Sequence, residues 1–99
     1  MTALEFHPEA VVELHAGATY YEQQQPGLGE RFVSSIKFSL AGIIESPLTW
    51  PVLEQDVRRK LVRVFPYAIL YSIEPDRLFV LAVMHCHQKP GYWRTRSGA

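Results

Sequence analysis

The sequence contains a single cysteine, Cys86, and no long apolar run. One cysteine cannot form an internal disulfide, and the scarcity of cysteine is typical of proteins from reducing compartments. No apolar stretch approaches the ~20 residues that a membrane-spanning helix requires. The first residues also lack the basic, apolar and small-residue layout of a signal peptide. We therefore expect a cytoplasmic protein that makes no membrane contact.

Metal-binding patterns are scarce as well. The densest cluster of nitrogen and sulfur ligands is His85-Cys86-His87, and its adjacent positions do not match the spacing of a structural zinc site. On a strand, the two histidines share one face and Cys86 lies on the other. The other histidines, His7 and His15, belong to a different part of the sequence. We expect neither a metal site nor a cofactor.

The apolar residues are numerous enough for one folded domain. The chain has 99 residues, of which 47% are apolar, so we expect a single domain over residues 1–99 with its own core. The net charge of zero hides an asymmetry. Residues 1–57 carry eight acidic and two basic residues, whereas residues 58–99 carry eight basic and two acidic ones. This split favours either an acidic partner for the C-terminal half or ion pairing between the halves.

Two amphipathic helices are predicted in the first half of the chain. Pro8 suits the first turn of a helix, and apolar residues recur at helical spacing from there to about Gln24. After a break at Pro26-Gly27, a second apolar stripe predicts a helix over about Gly29–Glu45. Because the connection is short, the two helices should form an antiparallel hairpin.

The second half has the pattern of a sheet. Strands are predicted at Leu4–Phe6, Val57–Val64, Ala68–Ile73 and Leu78–His85. Residues 46–55 are interpreted as a connector in which Trp50 seals the edge of the core. Since the last strand is apolar on both faces, we expect cover on both sides, with a partner as one possible cover. The order β-α-α-β-β-β predicts an α+β fold, a helical hairpin packed on a small antiparallel sheet.

Three interpretations fit the polar residues of this sheet. Acid–base cleavage of RNA needs proton-transfer groups and cations near the phosphate, and the candidates by residue type are His85, His87, Arg63 and Tyr92. A binding surface for nucleic acid or an acidic protein segment would use Arg58, Arg59, Lys60, Arg63, Lys89 and Trp93. The third interpretation is structural, with backbone-bonded histidines beside a solvated basic rim. Spacing alone does not choose among them.

A set of short motifs follows one order along nearly the whole chain. The motifs are His7-Pro8-Glu9-Ala10, Pro26-Gly27-Leu28-Gly29, Trp50-Pro51, Arg63-Val64-Phe65-Pro66-Tyr67, Leu81-Ala82-Val83 and Pro90-Gly91-Tyr92-Trp93. Together with the predicted order of helices and strands, this set resembles the RelE/ParE superfamily of toxins from bacterial type II toxin–antitoxin modules, often called plasmid stabilisation proteins.

The resemblance implies a cytoplasmic toxin that a co-expressed antitoxin neutralises by wrapping a C-terminal segment around it. RelE-like members cleave mRNA in the ribosomal A site, whereas ParE-like members inhibit DNA gyrase and do not cut RNA themselves. The partners that the resemblance implies are therefore an antitoxin and, as target, either DNA gyrase or ribosome-bound mRNA.

The arginines of the RelE-like catalytic set are the motif positions that this sequence does not keep. The resemblance implies an arginine after the aromatic residue that begins the third strand, where Ala68 follows Tyr67. It implies another beyond the last strand, where Gln88 or Lys89 stands, and Tyr92 replaces the C-terminal tyrosine. These differences favour a ParE-like toxin that is not itself an enzyme. A RelE-like mRNA endonuclease and an inactive member remain the alternatives.

Overall fold

The computed structural model describes residues 3–96, which form a two-helix layer packed on a five-stranded sheet. The elements, in chain order, are β1 (Ala3–Phe6), α1 (Pro8–Gln24), α2 (Leu28–Glu45), β2 (Val52–Glu54), β3 (Val57–Leu61), β4 (Tyr67–Glu74) and β5 (Arg77–His85), followed by a 3₁₀ turn (Arg94–Arg96). The predicted α+β class and helical hairpin are confirmed. Among the helices within residues 3–96, none is long and apolar enough to cross a membrane.

The hairpin of α1 and α2 is fixed at both of its ends by local hydrogen bonds. α1 begins after His7, whose Nδ1 accepts a hydrogen bond from the Glu9 N–H at 3.0 Å. Between the helices, Gly27 adopts φ 87°, a left-handed conformation that glycine tolerates without steric cost. The Glu22 carboxylate accepts the N–H groups of Gly27 and Gly29 at 3.0 and 3.1 Å. A side chain at Gly29 would collide with the backbone of α1.

The sheet differs from the prediction in three respects. Its order is β1-β5-β4-β3-β2, and β5 runs parallel to β1 and antiparallel to β4. The sheet is therefore mixed rather than wholly antiparallel. The stretch predicted as a connector contains the short edge strand β2, which adds one chain reversal before β5. Strand β3 ends at Leu61 instead of Val64, because Val64 has φ 76° and cannot continue an extended strand.

The main core lies between the helices and the sheet. At its centre the ring of Phe32 meets Phe65 and Tyr67 edge to face, with centroids 5.3 and 4.8 Å apart. Trp50 packs against the edge of this core, and its Nε1–H donates a hydrogen bond to the Gly42 carbonyl at 3.3 Å. The predicted role of Trp50 as a seal is confirmed.

A second apolar cluster covers the opposite face of the sheet. It is formed by Val57, Leu70, Phe79, Leu81, Ala82 and Trp93. Trp93 is only 2% exposed, since the segment after β5 lays its indole across this face. Strand β5 is therefore buried on both faces, as its apolar composition predicted. The second cover comes from the chain itself rather than from a partner.

Replacing Trp93 by alanine should open this second face. We expect the free energy of unfolding to fall by about 3–5 kcal/mol, because a fully buried indole is lost and a cavity remains. Leu48→Ala is the control, since Leu48 is exposed and its truncation should change stability by less than about 0.5 kcal/mol. Urea unfolding followed by circular dichroism measures both. Equal stability of the two variants would contradict the assigned role of Trp93.

Candidate functional site

Two of the residues proposed for RNA cleavage, His85 and Tyr92, lie in one groove between α1 and the end of β5. The groove is lined by Glu13, Ala16, Gly17, Tyr20, Tyr67, Val83, His85, Gln88 and Tyr92. His87 is exposed beside it, with its ring centroid 5.3 Å from that of His85. The His87 N–H donates a hydrogen bond to Nδ1 of His85 at 3.0 Å. The fourth candidate, Arg63, lines a different groove against α2.

A carboxylate that the sequence analysis missed holds this groove together. Glu13 of α1 accepts the Tyr92 hydroxyl at 2.6 Å and both terminal nitrogens of the Arg96 guanidinium at 2.9 and 3.0 Å. It also accepts the N–H of Val83 at 3.0 Å. Arg96 in turn donates to the Leu81 carbonyl at 3.2 Å. These contacts hold residues 86–96, which we call the C-terminal segment, against α1. They also satisfy the Leu81 carbonyl and the Val83 N–H of β5, which lie beyond the residues that pair with β1.

The sequence did carry a signal for Glu13. The buried residues of α1 are Ala10 and Gly17, so Glu13 lies on their face at helical spacing. An acidic residue within an apolar stripe usually has a dedicated partner. That signal indicates a partly buried carboxylate, and the Glu13 side chain is 20% exposed. It does not name Tyr92 and Arg96, which are 79 and 83 residues further along the chain.

The hydroxyl of Tyr92 is committed to this cluster. Burial raises the pKa of Tyr92 well above its usual range, and the hydrogen bond to the Glu13 carboxylate raises it further. Tyr92 therefore remains a protonated hydrogen-bond donor to Glu13 at neutral pH.

The basic residues of β3 do not form one patch. Arg58 donates to the carbonyls of Leu48 and Trp50 at 3.2 and 2.7 Å, and the Lys60 ammonium lies 3.5 Å from the centroid of the Trp50 ring. Burial lowers the pKa of Lys60, and the charge of Arg63 lowers it further. Because side chains alternate along a strand, Arg59 lies on the opposite face, where it is exposed. Two of these cations are thus engaged in packing around Trp50.

The remaining predicted contact residues are divided between core and surface. Trp93 is buried in the second apolar cluster and presents no free ring face for stacking. Lys89 is exposed, and its N–H donates to Oε1 of Gln88 at 2.9 Å. Arg63 is exposed beyond the end of β3. Of the predicted binding residues, Arg59, Arg63 and Lys89 are the ones that reach solvent most openly.

The charge asymmetry of the sequence is partly satisfied within the chain. Arg77 pairs with Glu5 at 2.7 Å, Arg94 with Glu54 at 2.7 Å, and Arg96 with Glu13 at 2.9 Å. Each pair joins a cation of the C-terminal half to a carboxylate of the N-terminal half. Within residues 3–96, no group of three or more histidine, cysteine or acidic side chains is arranged to hold a metal ion.

The fold of this chain is also found in a solved structure. A solved structure described as a chromosomal ParDE toxin–antitoxin system from P. aeruginosa matches with a TM-score of 0.76 at 16% sequence identity. The match covers 86% of this chain and 96% of that chain, and at this identity it shows a shared fold. Among curated proteins, none matches this chain significantly.

The family is given by the sequence. The family model for the ParE toxin of the type II toxin–antitoxin system parDE matches residues 4–90, which is most of the chain. The chain therefore belongs to the ParE toxin family of type II toxin–antitoxin systems.

Replacing Glu13 by glutamine should loosen the C-terminal segment. We expect the free energy of unfolding to fall by about 1–3 kcal/mol, because Arg96 is left half-buried without its carboxylate. Glu45→Gln is the control, an exposed carboxylate at the end of α2, with an expected change in stability below about 0.5 kcal/mol. Chemical denaturation compares the two. A larger loss for the control would refute the cluster's structural role.

Alkaline pH should destabilise the protein. Burial raises the pKa of Tyr21, Tyr67, Tyr71 and Tyr92. The unfolded chain releases these protons above about pH 10, whereas the folded state retains them, so stability is complete below that pH and declines above it. The pKa of Tyr92 is raised furthest. Tyr92→Phe should therefore flatten the decline in the free energy of unfolding between about pH 8 and pH 11, as measured by urea unfolding. An equally steep decline in the variant would contradict this assignment.

Proposed function

We propose that this chain inhibits DNA gyrase without cutting RNA itself, and that a cognate antitoxin neutralises it. Membership of the ParE toxin family supports both parts, since the resemblance of the sequence links this branch to gyrase and to an antitoxin. We also propose that the chain acts in the cytoplasm as one domain over residues 1–99.

The observation that carries this choice of target is the engagement of Tyr92. A nuclease needs such a hydroxyl free to transfer a proton or to contact the phosphate. Here the hydroxyl donates to Glu13 at 2.6 Å. The Glu13 carboxylate that lines this groove is already paired with Arg96 at 2.9 Å, so neither of these groups is left to bind a scissile phosphate.

The distribution of cations also supports a toxin that is not a nuclease. Stabilising a pentavalent phosphate requires preorganised positive charge, yet the described residues that line the His85 groove include no lysine or arginine. Arg63 lines the groove against α2 instead. Ala68, at a position where the RelE-like set has an arginine, is fully buried in β4.

A RelE-like mRNA endonuclease is the second candidate. It is supported by the presence of His85 and Tyr92 in one groove, with His87 beside it. In that case the double substitution His85→Ala and His87→Ala should abolish toxicity, because both candidate proton-transfer groups are removed.

The experiment that separates the candidates uses the purified chain in two parallel assays. We expect inhibition of gyrase supercoiling, or gyrase-dependent DNA cleavage, and no cleavage of mRNA on programmed ribosomes. The His85→Ala/His87→Ala variant should retain its effect on gyrase, with circular dichroism as the control for folding. Clear mRNA cleavage that the double variant loses, without any effect on gyrase, would reverse the assignment. Inactivity in both assays, together with normal growth of cells expressing the chain alone, would mark an inactive member.

A further inference from the structure

A second groove lies between α2 and the loop that joins β3 to β4. It encloses about 510 Å³ and is lined by Gly27, Glu30, Arg31, Ser34, Ser35, Phe38, Arg63 and Val64. We call it the Phe38–Val64 groove. Its helical residues from Glu30 to Phe38 recur at spacings of three and four, so the groove follows one face of α2 for about 12 Å. That length accommodates about four residues of extended chain.

Two large apolar side chains are exposed in this groove. Phe38 is 61% exposed and Val64 is 83% exposed. Single exposed apolar residues are common on protein surfaces, but two that line the same concavity form a patch on which a partner can bury area. Phe38 is further framed by Arg63, whose guanidinium carbon lies 5.6 Å from the centroid of the ring.

The backbone at Val64 gives an independent indication. Its φ of 76° places a β-branched residue in the left-handed region, where such residues are strained. Its neighbours hold it there: Val62 and Phe65 are buried on either side, and Ser35 Oγ donates to the Arg63 carbonyl at 3.1 Å. The loop therefore presents an apolar side chain to solvent at a backbone conformation that glycine or asparagine would adopt more easily.

The charges of the groove select the chemistry of its occupant. Among the described residues, no carboxylate pairs with Arg31 or Arg63. Both cations line the groove together with Glu30, which leaves one net positive charge. A partner segment with an apolar side chain could bury the exposed Phe38 and Val64 side chains. Carboxylates on either side of that side chain could pair with the guanidinium groups of Arg31 and Arg63.

We propose that the Phe38–Val64 groove docks a short acidic segment of the antitoxin, with an apolar side chain seated between Phe38 and Val64 and a carboxylate on Arg31 or Arg63. This inference rests on the proposed function, because it takes the antitoxin as the partner. A nucleic acid is the poorer occupant: Glu30 repels a phosphate backbone, and the groove offers two guanidinium groups where a phosphate-binding strip needs several cations.

The test measures binding to the purified product of the reading frame adjacent to the gene for this chain. Val64→Gly removes the exposed apolar side chain and relieves the strained backbone, so the variant should be at least as stable as wild type yet bind about tenfold more weakly or worse. Gln55→Gly is the matched control, because Gln55 is the other non-glycine residue of positive φ, 50°, among those described and lies in the turn between β2 and β3. It should bind as wild type does.

A charge reversal tests the electrostatic half of the proposal. Arg63→Glu should weaken binding about tenfold and reduce the salt dependence of the dissociation constant. Lys37→Glu is its control, an exposed cation of α2 that does not line the groove. Both are followed by calorimetry, with thermal unfolding as the check on folding.

The outcomes separate the two proposals. If wild type binds the adjacent product and the groove variants bind equally well, this inference fails and the proposed antitoxin partnership stands. Groove variants that retain antitoxin binding but lose the effect on gyrase would assign the groove to the target instead, and would overturn the inference as well. If wild type does not bind the adjacent product at all, the antitoxin part of the proposed function fails and the inference fails with it.

Discussion

Strand β5 is apolar on both of its faces, and the arrangement of the chain follows from covering both. The hairpin of α1 and α2 covers one face, and the segment after β5 covers the other with Trp93. The hairpin comes well before β5 in the chain, whereas the segment that carries Trp93 follows it directly. The strand therefore acquires its full burial only when both parts have folded onto the sheet. This requirement explains why the last described residues are as structural as the core strands.

The cover on the second face has to be held in place, and two ion pairs that follow Trp93 in the chain do this. Arg94 reaches Glu54 at the end of the edge strand β2, and Arg96 reaches Glu13 on α1. Because Tyr92 joins the same carboxylate, one residue of the candidate nuclease set attaches the C-terminal segment to α1. Residue type alone does not distinguish these two uses of a tyrosine.

Much of the fold could be predicted from apolar periodicity, but the orientation of one strand pair could not. With three strands after the helices, the chain reverses five times between β1 and the last strand, and the two would be antiparallel. The structure has four strands there and six reversals, so β5 lies parallel to β1. Strand β2 has three residues and one bulged pairing with β3, which is too short for alternation to reveal it. The partners of Glu13 were likewise beyond prediction, since they depend on long-range contacts.

The charge asymmetry illustrates why a sequence can support two interpretations that are both partly correct. Arg77, Arg94 and Arg96 find carboxylates of the N-terminal half inside the same chain, as pairing between the halves requires. Arg63 stays exposed and is not paired with a carboxylate, beside an exposed ring in a groove. Among the described residues, Arg94 and Arg96 are paired with carboxylates where the C-terminal segment is attached, whereas Arg31 and Arg63 in the Phe38–Val64 groove are not. Local geometry therefore decides which cations serve the fold and which remain available to a partner.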